Sequence, residues 1–419
     1  MNNALASIEW KIINRLKLSE ARNRIIGHSY ENILKVVSLF ISVPKPTVIV
    51  GKDASVNICD TIDHFGVKKI LIVTDKALYE MGILKGILAK LEDLKIECAI
   101  FSDVLPDPTF AIVENGLAKY KQSNCDSVLA VGGGSTIDTA KVIALAAANE
   151  VQPKALVGIL KGKKPAVPFF AIPTTAGTGS EATLGAIIAD NATHLKEMVL
   201  DSKMVPLVAA LDPAIMAGLP PHITAACGMD TLTHAIEAYI SRVENPDAEH
   251  YARSAIKLVF KHLQTAYENG SDLTAREGMA LASFYGGLAL NGAGLGYVHA
   301  FAHPIGAKYK IPHGEANAKL LPYILEYNKP CTTESLAELA MLLSVANSSD
   351  TDEQKSQKFI DAVEQLTKSV GIETKVKQLE KNDYDDIIQA AFKEANVAYA
   401  VPKYMSYESA IAILDKASA

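Results

Sequence analysis

The sequence predicts an α/β domain built on a mostly parallel sheet, followed by an all-helical domain. Three observations carry this. Short β-branched runs alternate with helical patterns up to about residue 215, strand signal is absent beyond that point, and Gly218-Leu219-Pro220-Pro221 interrupts both kinds of periodicity between them. The expected division is a helical extension over 1–45, an α/β domain over 46–217 and a helical domain over 218–419.

The strand-like runs are TVIV at 47–50, KKILIVTD at 68–75, ECAIFSD at 97–103, DSVLAVGGG at 126–134 and PFFAIPTT at 168–175. Helical patterns such as Phe110 to Gln122 and Thr136 to Ala148 separate them. Apolar runs between helices imply strands covered on both faces, the environment of a parallel sheet. Beyond residue 215, the segments Ala225 to Ser241, Ala248 to Tyr267, Ala275 to Leu290, Leu336 to Ala346 and Gln354 to Val370 place Ala, Leu and Ile on one side at helical spacing. Ile8 to Leu18 and Tyr30 to Phe40 show the same spacing ahead of the first strand.

Composition narrows the function classes. The chain has 419 residues, is 49% hydrophobic and carries a net charge of −6, enough for a large core and ill suited to a nucleic-acid groove. Its longest basic run, Lys161-Gly162-Lys163-Lys164, is too short to form an electrostatic footprint. Cys59, Cys98, Cys125, Cys227 and Cys331 never fall in a CxxC spacing, so a thiolate zinc ribbon is excluded and a reducing compartment is expected. The opening residues lack a continuous apolar region with a small-residue cleavage site, and ILKVVSLFISVP is interrupted by Lys35 and far below spanning length. A cytoplasmic protein with no membrane partner is expected.

VGGGSTIDTAK, Val131 to Lys141, falls where a strand ends and a helix begins. Consecutive glycines let backbone amides approach a ligand, and the helix N-terminus offers N–H groups and the positive end of a dipole. A diphosphate fits there, although the spacing is not G-x-G-x-x-G and a tight strand-to-helix turn needs the same glycines. IPTTAGTGSE, Ile172 to Glu181, adds hydroxyls and glycines after another strand, and two such loops suit one extended phosphate-bearing ligand. Asp75 ends a strand, where a carboxylate can accept from a ribose diol and would repel a 2′-phosphate, favouring NAD over NADP; capping the next helix is its alternative role.

In GMDTLTHAIEAY, Asp230 and His234 are four apart and share a helix face, as an ordinary ion pair or as two metal ligands. GYVHAFAHPIGAKYKIPHG holds His299, His303 and His313, which offer further ligands without indicating which of them bind. A carboxylate with imidazoles suits Fe(II) or Zn(II). Pro304, Gly306 and Pro312 are expected to end the helix and return His313 from a loop.

Taken in order, GGGSTIDTAK, IPTTAGTGSE, GMDTLTHAIEAY and VHAFAHPIGAKYKIPHG resemble the iron-containing (group III) alcohol dehydrogenase family over roughly residues 45 to 330. The resemblance implies an NAD-binding α/β domain and a helical metal-binding domain with Asp230, His234, His299 and His313 as ligands. It implies that His303 is not a ligand but relays protons near the nicotinamide. Gly133, Gly134, Ser135 and Asp138 match the pyrophosphate motif, Thr174, Thr175 and Thr178 the cofactor-contacting hydroxyls, and Lys196 a lysine near the ribose. Asp75 matches the acidic position tied to NAD preference, and Asp107 sits where relatives carry a small polar residue.

The implied reaction is hydride transfer between a small alcohol or diol and NAD, with the alkoxide oxygen on a divalent metal; a homodimer or larger homo-oligomer is expected on general grounds. A lyase resembling dehydroquinate synthase would need basic residues for a phosphorylated carboxylate, whereas GGLALNGAGLGY at 286–297 suits a weakly charged alcohol. A non-catalytic interaction protein would have no use for four ligands and His303. The family typically begins near the first strand, so the stretch before Thr47 departs from its pattern.

Overall fold

The computed structural model describes residues 43–192 and 195–418, so the helices expected over Ile8 to Leu18 and Tyr30 to Phe40 lie outside the described residues. In chain order the elements are β1 (Thr47–Val50), α1 (Ala54–His64), β2 (Lys69–Asp75), α2 (Lys76–Glu80), α3 (Lys85–Asp93), β3 (Glu97–Val104), α4 (Phe110–Gln122), β4 (Ser127–Gly132) and α5 (Gly134–Asn149). There follow β5 (Gly158–Ile159), β6 (Phe169–Pro173), β7 (Gly185–Ala189), β8 (Lys196–Leu200), β9 (Val208–Leu211) and α6 (Pro213–Met216). The helical region comprises α7 (Pro221–Tyr239), α8 (Pro246–Glu268), α9 (Leu273–Ala293), α10 (Tyr297–Tyr309), α11 (His313–Leu342), α12 (Asp352–Ser369), α13 (Tyr384–Ala398) and α14 (Tyr407–Ala417). A parallel α/β region followed by an all-helical one is the class that the sequence predicts. Among the described residues no helix is long and apolar enough to cross a membrane.

Six strands form one sheet in the order β1-β9-β6-β4-β2-β3, with every pairing parallel. Alternation along its central strands builds two apolar layers. Leu71, Val73, Val128, Ala130, Phe169 and Ala171 face α4 and α5 through Phe110, Val113, Leu117 and Ile137. Ile70, Ile72, Leu129, Val131, Phe170 and Ile172 face α1 and α3 through Ile58, Ile62, Ile87 and Leu91. A strand buried on both faces is apolar at nearly every position, which explains why these runs read as almost continuous hydrophobic stretches. Strand β9, VAAL, is fully buried between β1 and β6 but is short and half alanine, with one β-branched residue, so its strand signature is weak. Strands β5, β8 and β7 form a separate three-stranded sheet, with β7 antiparallel to β8.

The described residues group into two compact units. One runs to Thr224 and includes Lys261–Asn291, and the other comprises Ala225–Phe260 and Gly292–Ala419. In the first, register pairs Gly132 with Pro173, and the amide of Thr174 donates to the carbonyl of Gly132 at 3.0 Å. The glycine loop and the threonine loop therefore leave the carboxyl ends of adjacent parallel strands, the position where such sheets take ligands.

In the second unit, one sequence expectation is corrected. Pro304 and Gly306 lie inside α10, which runs to Tyr309 and closes on Lys310 at φ 58°, and His313 is the first residue of α11 rather than part of a loop. An interior proline costs about 3 kcal/mol through its missing N–H and ring clash. Here Tyr297, Val298, Phe301, Ala302 and Ile305 of the same helix are buried, and each large buried side chain returns about 1.5–3 kcal/mol, which outweighs that cost. The turn is the three-residue link Lys310-Ile311-Pro312, with Pro312 immediately before the first residue of α11.

Candidate metal centre and cofactor loops

Asp230 and His234 stack one turn apart on α7, His299 and His303 one turn apart on α10, and His313 begins α11. The three helices bring Asp230, His299 and His313 together, with one donor atom from each inside 4.8 Å of the others. Asp230 Oδ1 lies 3.4 Å from His313 Nε2, 3.6 Å from His299 Nε2 and 3.9 Å from His234 Nε2. Ligands about 2.1 Å from a tetrahedral ion are about 3.4 Å apart, so the donor set fits a divalent first-row metal. The rings of His234 and His299 are parallel, with centroids 4.7 Å apart. His303 instead stacks on His313, centroids 5.1 Å apart and planes 17° apart.

The cluster depends on residues that no motif singles out. Glu237, buried on α7, accepts from the amides of Gly296 at 2.9 Å and Val298 at 2.7 Å and from His299 Nδ1 at 2.6 Å. That contact keeps a proton on Nδ1 and turns Nε2 toward Asp230. Glu237 stands within GMDTLTHAIEAY, three residues after His234, but nothing in its spacing names His299 as its partner. A Cβ on Gly296 would meet Glu237 Oε1 at 2.6 Å, and one on Gly314 would meet the carbonyl of Ala226 at 2.1 Å. Glycine at these two positions lets α10 and α11 approach α7 closely enough for their histidines to reach Asp230.

Asn317, one turn after His313 and buried, places Nδ2 2.8 Å from Asp230 Oδ1, 3.1 Å from His299 Nε2 and 3.2 Å from His313 Nε2. Its Oδ1 makes no hydrogen bond among the described residues. A buried amide nitrogen facing one carboxylate and two imidazoles, with its own oxygen unsatisfied, marks a place where polar groups converge as they do around a cation.

Charge at the cluster follows the same contacts. Burial opposes ionisation of Asp230, but His234, His313 and the hydrogen bond to His299 hold it well below the usual carboxylate range. Burial depresses His299, and the Asp230 and Glu237 carboxylates more than offset this, pushing it up to about 9. For His303 burial prevails over the Glu394 hydrogen bond, and its pKa lies below the ordinary histidine value.

In the first unit, α5 starts at Gly134 with no side-chain cap on its N-terminus. A Cβ on Gly134 would lie 2.8 Å from Thr178 and one on Gly133 3.3 Å from Thr175, so the two loops pack closely and a side chain at Gly134 would displace Thr178. Gly133, Gly134, Ser135, Thr175 and Thr178 are partly exposed, while Thr174 is buried. The combination of bare glycine backbone, hydroxyls and a helix N-terminus fits a pyrophosphate. Asp138 is turned to the protein, accepting from Ser180 Oγ at 2.6 Å and the Ile187 amide at 2.9 Å. Asp75 caps α2, with Oδ1 accepting from the Leu78 amide at 2.9 Å. Lys196 pairs with Asp107 at 2.7 Å on the surface.

Behind the loops, Lys141 is fully buried and donates to Ser180 Oγ, Thr183 Oγ1 and the Gly185 carbonyl at 3.0, 2.9 and 2.7 Å. Burial draws its ammonium down to about 8 and pushes the nearby Glu181 up to about 7. Lys141 thus ties the helix after the glycine loop to the segment after the threonine loop.

Residues 45–213 match the family described as iron-containing alcohol dehydrogenase, and residues 224–418 match the C-terminal region of the same family. The chain is similar to the NAD-dependent methanol dehydrogenase of Bacillus methanolicus, 38% identical over 352 residues that cover 82% of this chain and 92% of that protein. It is similar to the 1,3-propanediol dehydrogenase of Klebsiella pneumoniae, 38% identical over 356 residues covering 84% and 92%. Among solved structures, an alcohol dehydrogenase from Oenococcus oeni superposes with a TM-score of 0.86 at 35% identity, covering 90% of this chain and 99% of that one.

Proposed function

This chain belongs to the iron-containing alcohol dehydrogenase family, and we propose that it is a metal-dependent, NAD(H)-linked dehydrogenase moving hydride between a small alcohol or diol and NAD. The observation that carries the reading is the convergence of Asp230, His299 and His313 at ligand spacing, with His234 one turn from Asp230. When bound, a divalent ion supplies Lewis acidity that lowers the pKa of an alcohol, and NAD supplies the hydride acceptor.

The protein's own residues do the rest. Asp230, His234, His299 and His313 would hold the ion, through one carboxylate and three imidazoles. Glu237 keeps the Nε2 of His299 directed at the site. His303 takes the proton released by the alcohol and returns it in the reverse direction, a role suited to an imidazole that is deprotonated near neutrality. Gly133, Gly134 and Ser135 bind the pyrophosphate with the first-turn amides of α5, Thr174, Thr175 and Thr178 face the cofactor from the neighbouring loop, and Lys196 lies toward the ribose. Asp138 acts from behind by holding Ser180. The carboxylate of Asp75 accepts from a ribose diol beside its capping bond, which favours NAD.

The proposed division of labour assigns NAD to residues 46–217 and the metal to 218–419. Five free cysteines support a reducing, cytoplasmic setting. A homodimer or larger assembly is the proposed state. The ligand set accepts Fe(II) or Zn(II), with iron as the proposed resident.

The test is an assay of purified protein loaded with Fe(II) or Zn(II), with NAD or NADP, across short alcohols, diols and the matching aldehydes. Turnover with NAD and a short alcohol is expected. Metal-loaded protein with no turnover anywhere in the panel would overturn the reading, and preference for NADP would remove the role given to Asp75.

A further inference from the structure

We propose that Glu394, clamped by Tyr399, is a positioning residue that fixes the tautomer and ring orientation of His303. The proposal rests on the reading of His303 as the proton-moving group. His303 Nδ1 lies 2.8 Å from Glu394 Oε1, across 91 residues of sequence. Glu394 is on α13, which packs along α10, and the phenol of Tyr399, just past the end of that helix, donates to the same Oε1. Two donors on one oxygen hold the carboxylate in place.

The need for such a clamp follows from the ring packing. His303 stacks on His313 and meets His299 edge-on, with centroids 6.0 Å apart. Stacking sets the plane of an imidazole but not which edge faces which way, since a half-turn about the terminal torsion leaves the ring in the same plane. A hydrogen bond at one nitrogen removes that ambiguity. An ionised carboxylate only accepts, so Nδ1 carries the proton and Nε2 keeps the lone pair that takes and returns a proton. His303 is 32% exposed, so it can exchange with water and is not locked in place by close packing alone.

The experiment uses zinc-loaded full-length protein with 15N-labelled histidine, comparing wild type, E394A, E394Q and H303A. In wild type, His303 is expected as the Nδ1–H tautomer. E394A is expected to lose that preference, with kcat down about 10–100-fold, the range seen when an outer partner of a functional histidine is removed, while KM for alcohol and for NAD and the zinc content hold. Added formate should restore part of kcat. E394Q, whose amide oxygen still accepts, should keep the Nδ1–H tautomer and lose less. Nδ1–H retained in E394A, or a rise in KM together with a fall in kcat and zinc content without formate rescue, would overturn the proposal. If E394A does not fold, an Nε2–H tautomer in E394Q overturns it. Undiminished turnover in H303A sinks the proton-moving reading instead, and the tautomer spectra distinguish the two failures.

Discussion

The cofactor loops and the metal cluster solve opposite problems. The loops bind through backbone, so their requirement is an absence of side chain at Gly133 and Gly134, and each lies within about ten consecutive residues. The cluster binds through side chains, and its parts come from Asp230 to Tyr399 on four helices and the residue following one of them. Two of the imidazoles have a carboxylate that fixes their tautomer, and that partner has no reason to be close in sequence: Glu237 serves His299 from 62 residues away and Glu394 serves His303 from 91. Backbone recognition is therefore local, and side-chain recognition is a property of the packed unit.

Asp230→Ala or His299→Ala should separate the two regions most completely. Either should abolish stoichiometric metal by elemental analysis and lower kcat/KM by about a thousandfold or more, the scale of several kcal/mol of lost charge stabilisation. NAD binding by calorimetry should persist. Glu237→Ala comes next: the amides of Gly296 and Val298 and the Nδ1 of His299 lose their acceptor, and metal affinity should fall about 10–100-fold in a chelator competition. Gly314→Ala tests the close approach itself, since its Cβ would lie 2.1 Å from the Ala226 carbonyl; lower zinc occupancy and a loss of about 1–3 kcal/mol in thermal unfolding are expected.

On the loop side, Gly134→Val puts a side chain against Thr178 and should raise KM for NAD about tenfold, or 1.4 kcal/mol of binding, with metal content intact. A loss of metal in that variant would contradict the separation drawn between the two regions. Asp75→Ala is the mildest: it removes the α2 cap, worth about 1 kcal/mol, and should narrow the preference for NAD over NADP in steady-state assays.

Several features are legible in the order of residues alone. β2, β4 and β6 announce themselves because a strand covered on both faces is apolar at nearly every position, and GMDTLTHAIEAY shows its Asp–His pair because helical spacing is local. Strand β9 is not legible, because alanine carries no strand preference and its place in mid-sheet is set by the strands on either side. The path of α10 through Pro304 is hidden too, because burial of Val298, Phe301 and Ile305 outweighs propensity. Glu394 and Tyr399 sit in a C-terminal stretch with no motif to mark them.

Periodicity, glycine placement and motifs whose parts lie close together along the chain were enough for the fold class and the two loops, and the four residues proposed as metal ligands came from the resemblance to a family. Folding in three dimensions was needed to establish how His313 enters the cluster, which carboxylates orient His299 and His303, and that Asp138 and Lys141 face inward to brace the loops. Those are choices among distant partners, made by packing and by the cost of leaving a buried polar group unsatisfied.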